Sequence, residues 1–313
     1  MFTGKFKFLG LILAIAFLTI GVSVTNIGNF NGRVESYLLT SLKAVDKIIF
    51  KNRGLEQDRE EITLFVLGHT YGNYNRKEKL GYQTHPKVLE ALKDLVRENR
   101  NAKILLLGDL VERPSWDNVL RAHNEILQIV DDPIILLGNH DVHFTSYLKL
   151  LERRYSSYFT AEFGNVLFVF LNTTNKMGDV DEVQLDLVSE ELNKKNYQTV
   201  FFFSHHVIWN RDPKMDKFLN NDSTTRKRSS SHLFSDFLQE LSSSDVSLKK
   251  IFVAGDMGNN TSYLDIKEKD SRFISLGFGN NVLQTRPEKS YGFLSKITVN
   301  KYGDYRVNKV LID

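Results

Sequence analysis

Five short apolar runs in this chain each stop at a glycine or serine and then present polar side chains of a restricted kind. They lead into Gly68-His69-Thr70-Tyr71-Gly72, Gly108-Asp109-Leu110-Val111-Glu112-Arg113, Gly138-Asn139-His140-Asp141, Ser204-His205-His206 and Gly255-Asp256-Met257-Gly258. A single His or Asp after a strand is usually a turn residue or a satisfied hydrogen bonder. Five in succession, each at the same place relative to its strand, form a pattern. Glycine there allows tight turns and close backbone approach. In open α/β sheets ligands bind beyond the carboxyl ends of the strands, so these positions are where the chemistry is sought.

The segments between them alternate in kind. Residues 62–67 form a continuous apolar run, read as a buried strand. Pro86 opens a helix to about residue 99, with Val88, Leu89, Leu92, Leu95 and Val96 on one face. Further strands are expected at 102–107, 133–137, 166–171, 199–203 and 250–253, and helices at 115–130 and 183–194. Residues 273–312 read as strands and turns, with a hairpin signal at Tyr302-Gly303-Asp304. Strands alternating with helices predict an α/β domain over residues 62–313. The polar segment 210–231, rich in Lys, Arg and Ser, reads as a loop.

Residues 1–30 have a different character. Lys5 and Lys7 precede an apolar run over 8–24. At about 1.5 Å per residue this run nearly spans a hydrocarbon core of about 30 Å. It is long for a signal peptide and no Ala-x-Ala site follows, so the expectation is an uncleaved membrane helix, with cleavage and release the alternative. Lys5 and Lys7 then place the N-terminus in the cytoplasm and the rest of the chain on the exported side. Residues 31–61 read as an amphipathic helix followed by a polar connector.

Composition narrows the chemistry. With 41 basic and 38 acidic residues the net charge is only +3, so no nucleic-acid partner is expected. The chain has no cysteine, which removes disulfides, thiolate zinc sites and cysteine nucleophiles. Any metal is left to His, Asp, Asn or similar ligands.

At the strand-end motifs the chain resembles the calcineurin-like metallophosphoesterase superfamily. Gly108-Asp109 and Gly138-Asn139-His140-Asp141 carry the resemblance. His205 matches the family's lone later histidine, and Asp181-Glu182-Val183-Gln184-Leu185 matches its Gln-Leu helix start. The resemblance implies a four-layer α/β/β/α sandwich of two mixed sheets flanked by helices, and divalent cations (Mn, Fe or Zn; one or two per chain). It makes Asp109 a bridging ligand, and Asn139 and His205 ligands of the second metal. His140 would face substrate and protonate the leaving oxygen, with Asp141 and Glu112 in the same catalytic group and Glu112 orienting the imidazole. Arg113 would hold the substrate phosphate, and His206, which follows a ligand histidine, either contacts substrate or packs. Two cations about 3.5–4 Å apart can clamp both oxygens of an in-line displacement and acidify water.

The chain departs from the family at both ends of the pattern. The first motif, Asp-x-His in the family, becomes His69-Thr70-Tyr71, and the last, Gly-His-x-His, becomes Gly255-Asp256-Met257-Gly258. A second register, with Leu67 at the family's aspartate and His69 at its histidine, loses the match at Thr70 and Gly72. One carboxylate has left the first motif and one has entered the last. The second metal keeps four candidate ligands, Asp109, Asn139, His205 and Asp256. The first keeps Asp109 and His69, with Tyr71 in place of a histidine and no side chain at Gly258. The expected activity is hydrolysis of a phosphate mono- or diester by metal-activated water on the exported side of a membrane. The substrate would be a phosphorylated small molecule, lipid or glycan. The alternative is a catalytically impaired relative that binds a phosphorylated envelope component or a partner protein.

Overall fold

The computed structural model describes residues 59–71, 83–112, 115–141, 158–174, 180–209, 247–256, 263–277 and 292–312. The expected membrane helix, the amphipathic segment, the 210–231 loop, Gly72, Arg113, Met257 and Gly258 lie outside these residues. Among the described residues no helix is long and apolar enough to cross a membrane.

In chain order the elements are β1 (Glu61–Leu67), α1 (Pro86–Glu98), β2 (Lys103–Leu107), α2 (Trp116–Leu127), β3 (Ile134–Leu136), β4 (Phe159–Phe163) and β5 (Val166–Phe170). Then come α3 (Glu182–Leu192), β6 (Thr199–Ser204), β7 (Lys249–Ala254), β8 (Leu264–Glu268), β9 (Ser271–Ser275), β10 (Gly292–Asn300) and β11 (Tyr305–Ile312). They form two mixed sheets, one ordered β11-β10-β1-β2-β3 and the other β4-β5-β6-β7-β9-β8. In the first sheet β1, β2 and β3 run parallel, and in the second β5, β6, β7 and β9 do.

The continuous apolar runs become the strands buried on both faces, as parallel sheets require. All five residues of β5 and all six of β6 are buried. One face of each sheet packs on the other, with Leu64, Val66, Leu105 and Leu107 of the first meeting Phe168, Phe170, Phe201, Phe203 and Val253 of the second. The outer face of the first sheet is covered by Val88 and Leu92 of α1 and by Val119, Ala122 and Ile126 of α2. The outer face of the second packs on Val188 of α3. Helix, sheet, sheet and helix therefore follow one another through the domain.

Each helix starts at a side-chain cap. The Nδ1 of His85 accepts from the Lys87 N–H at 3.1 Å, Ser115 caps α2 through the Asn118 N–H at 3.2 Å, and Asp181 caps α3 through the Gln184 N–H at 3.1 Å. The hairpin signal at residues 302–304 is realised between β10 and β11. Gly303 adopts φ +95° there, and the Asn300 side chain accepts from the Tyr302 and Asp304 N–H groups. Strands β4 and β8 have no counterpart in the sequence reading. Both are edge strands whose residues are largely not buried, so no apolar run marks them.

Candidate metal centre

The carboxyl ends of β1, β2, β3 and β7 are drawn together across the two sheets by their glycines. A Cβ on Gly68 would lie 2.3 Å from the Cα of Gly255, and one on Gly255 would lie 2.4 Å from the Cβ of Leu107. A Cβ on Gly108 would stand 2.4 Å from the Gly138 nitrogen. Only residues without side chains permit these approaches. The residue after each of Gly68, Gly108, Gly138 and Gly255 is a candidate ligand.

Two of those ligands sit in strained backbone. His69 has φ +54° and Asp109 has φ +57°, a region that residues with a Cβ enter rarely. The loops hold them there through main-chain bonds. The His69 N–H donates to the Gly108 carbonyl at 3.2 Å, and the Thr70 N–H to the Asp109 carbonyl at 2.9 Å.

Asp109 lies between two imidazoles, its Oδ2 3.7 Å from His69 Nε2 and its Oδ1 3.3 Å from His205 Nε2. His205 Nε2 is also 3.0 Å from Asn139 Oδ1. The other ring nitrogen of His205 donates its N–H to the Leu107 carbonyl at 2.6 Å, so its proton is fixed on Nδ1. This is the usual outer support of a metal-binding histidine, leaving Nε2 to face the ligand. A nitrogen lone pair and two oxygens thus converge, an arrangement suited to a cation.

The buried side chains also form two groups whose ligand atoms lie within 4.8 Å of one another: His69, Asp109 and Asp256, and His205, His206 and Asp256. Burial holds the His69 imidazole below its ordinary pKa, against the pull of the Asp109 and Asp256 carboxylates. A neutral imidazole is the form that binds metal. The oxygen and nitrogen donor set fits Mn, Fe or Zn.

His140 and Asn139 are half-buried at the edge of this cluster. The His140 N–H donates to Asp109 Oδ1 at 3.0 Å, and its ring Nδ1–H to the Glu112 carbonyl at 2.8 Å. Glu112 therefore orients this histidine through its main chain, where the resemblance suggested its carboxylate. Burial lowers the pKa of His140, but the Asp109 carboxylate, the bond to Glu112 and the Asp141 and Asp256 carboxylates outweigh it, and the net shift is upward.

Asp141, grouped with His140 as catalytic in the sequence reading, has a different task. Its Oδ2 accepts from the Asp109 and Gly138 N–H groups at 2.7 and 2.8 Å, and its Oδ1 from the Leu110 N–H at 2.8 Å. It is a positioning residue that ties the β2 and β3 loops together. Burial and the Asp109 charge push its pKa up to about 6, although these N–H bonds favour the ionised form.

Tyr71 donates or accepts at His69 Nε2, 2.8 Å away, and its ring lies 5.5 Å from that of His140. It stands beside the cluster as the partner of a candidate ligand. In the second register Leu67 would take the aspartate position, but it packs with Val88 and Leu92 under α1, away from the cluster. His206 is held by Thr173, whose hydroxyl is 2.8 Å from its Nδ1 and accepts its main-chain N–H at 3.1 Å. Thr173 was not singled out from sequence, although it follows β5 as the other polar residues follow their strands. The main-chain acceptors Leu107 and Glu112 carry no sequence signal at all, because any residue supplies a carbonyl.

These features define a strand-end site suited to a divalent cation. Residues 62–284 match the calcineurin-like phosphoesterase family, and the chain belongs to it. Its buried His and Asp groups could hold a divalent metal ion. No curated protein sequence is significantly similar to it. Among solved structures it resembles a purple acid phosphatase from yellow lupin (Lupinus luteus) seeds. That match has 13% identity and a TM-score of 0.56, and covers 82% of this chain and 52% of the phosphatase. A putative 5'-nucleotidase from Staphylococcus aureus matches at 13% identity, TM-score 0.47, with 80% of this chain and 54% of the other covered. The calcineurin-like phosphoesterase YfkN of Bacillus subtilis matches at 10% identity, TM-score 0.42, covering 80% of this chain and 91% of that one. The chain spans about half the length of the first two of these proteins.

Proposed function

We propose that the chain hydrolyses a phosphate mono- or diester, with water attacking phosphorus and His140 protonating the leaving oxygen. The carrying observation is the placement of His140, whose main chain is bonded to Asp109 and whose Nδ1–H is committed to the Glu112 carbonyl. The transferable proton then sits on Nε2. Asp109, Asn139, His205 and Asp256, with His69 alongside, would hold divalent cations, which would supply positive charge against the phosphoryl oxygens and acidify water. Asp141 and Glu112 keep the loops and the imidazole in place. Arg113 and His206 are assigned to the substrate phosphate from the sequence pattern.

The apolar run at 8–24 behind Lys5 and Lys7 supports a location on the exported side, anchored through residues 1–30 or released by cleavage. The substrates compatible with that location are phosphorylated small molecules, lipids or glycans. Deleting residues 1–30 is expected to move the protein from the membrane fraction to the soluble one.

A second reading is a binding protein for a phosphorylated envelope component or a partner protein. It draws on the Tyr71–His69 hydrogen bond, which engages the nitrogen that one cation position needs. Chromogenic phosphate mono- and diesters, assayed with Mn, Fe and Zn, separate the two. The hydrolase reading expects metal-dependent turnover that falls at least about 100-fold in His140→Ala with metal content unchanged. No turnover with any metal favours the binding reading, and full activity in His140→Ala removes the role given to that residue.

A further inference from the structure

We propose that Asp256 is a second bridging carboxylate, shared with Asp109 between two cation positions. The proposal deepens the metal-dependent reading above and rests on it. Asp256 is the one residue common to both buried groups, lying within 4.8 Å of His69 and Asp109 on one side and of His205 and His206 on the other. Asp109 shows the same division, one oxygen toward His69 and the other toward His205. His69 thus stands on one side of the two carboxylates and His205 on the other.

The chemistry of the substitution explains why an aspartate suits this place. An imidazole offers one lone pair and serves one cation, whereas a carboxylate offers two oxygens and can serve two. Residue 69 is a histidine and residue 258 a glycine, so among the described residues the position beside His69 would otherwise have only Asp109 for company. Asp256 gives it a third protein ligand while remaining on the position beside His205. Its backbone is held for this task, with the Asp256 N–H donating to the His205 carbonyl at 2.8 Å and Gly255 packed against Leu107. The Tyr71 hydroxyl bond to His69 Nε2 is the contact that a cation beside His69 replaces.

The test reads metal binding without any substrate. The chain is titrated with Mn2+ by calorimetry, its bound metal is counted by elemental analysis, and spin coupling between ions is read by electron paramagnetic resonance. The wild-type chain is expected to bind two Mn2+ with a coupled spectrum. Asp256→Asn should weaken the coupling, since Asp109 remains as the one bridge, and weaken at least one ion at least about tenfold. Asp256→His restores one lone pair, and should hold one ion tightly beside His205 with no coupling; it also serves should Asp256→Asn fail to fold. Two coupled ions with unchanged affinity in either variant would overturn the proposal, as would a single ion in the wild-type chain. Two ions bridged in this way without ester hydrolysis would remove the hydrolase reading and leave the bridge. Hydrolysis supported by one ion would do the reverse.

Discussion

The backbones of Gly68 and Gly255, at the ends of strands in different sheets, approach so closely that a Cβ on Gly68 would lie 2.3 Å from the Cα of Gly255. Neither neighbour is a flexible side chain that could move aside. Gly68→Ala or Gly255→Ala is expected to destabilise the fold by roughly 1–3 kcal/mol, the usual cost of overpacking. Both should weaken metal binding, because His69 and Asp256 are the next residues. Urea denaturation and a metal titration check this, and unchanged values in both would refute the close approach.

Asp141→Asn keeps the shape of the side chain but turns one oxygen into an N–H2 group facing N–H donors. Three main-chain N–H groups depend on that carboxylate. Leaving at least one without an acceptor is expected to cost roughly 1–3 kcal/mol. Cation affinity should fall with stability, since the loops of Asp109 and Asn139 lose their common tie. A variant with wild-type stability and metal affinity would show the carboxylate to be dispensable.

Gln184 is buried, and its amide makes two bonds to the main chain of Asn172. The Asn172 N–H donates to Gln184 Oε1 at 2.8 Å, and Gln184 Nε2 donates to the Asn172 carbonyl at 3.0 Å. This is the physical content of the Gln-Leu helix start noted in the sequence. Gln184→Ala is expected to cost roughly 2–4 kcal/mol from two orphaned groups and a small cavity. Gln184→Glu should also destabilise, because its carboxylate cannot donate to the carbonyl. Thermal denaturation that ranks both variants with the wild type would refute the assignment.

His85 caps α1 in its neutral form. Burial, with Lys87 nearby, lowers its pKa from 6.5 to about 4. Between those values the unfolded chain binds more protons than the folded one, so stability falls as the pH drops from about 6.5 toward 4. The contribution is at most about 3 kcal/mol. His85→Asn, which retains a capping oxygen, should flatten this part of the curve of stability against pH. An unchanged slope in that variant would assign the acid sensitivity elsewhere.

The central strands were legible because burial on both faces leaves a continuous apolar run, as in β5 and β6. Strands β4 and β8 were not, since an edge strand with one wet face keeps polar residues and loses that signal. At the site, Asp109, Asn139, His140 and His205 could be named as candidates because they match the family's motifs. The roles of Glu112 and Asp141 could not be separated, because one acts through its main chain and the other on main-chain donors. Asp256 could be seen as a displaced carboxylate, but its nearness to His69 and Asp109 on one side and to His205 and His206 on the other depends on the two sheets meeting.

The left-handed backbone at His69 and Asp109, with φ +54° and +57°, sets heat resistance and turnover against each other. A Cβ in that conformation is strained by roughly 1–2 kcal/mol, and glycine is not. A library of variants screened for survival of heating, with metal withheld, is therefore expected to enrich glycine at residues 69 and 109. The same library screened for ester hydrolysis should discard those clones first.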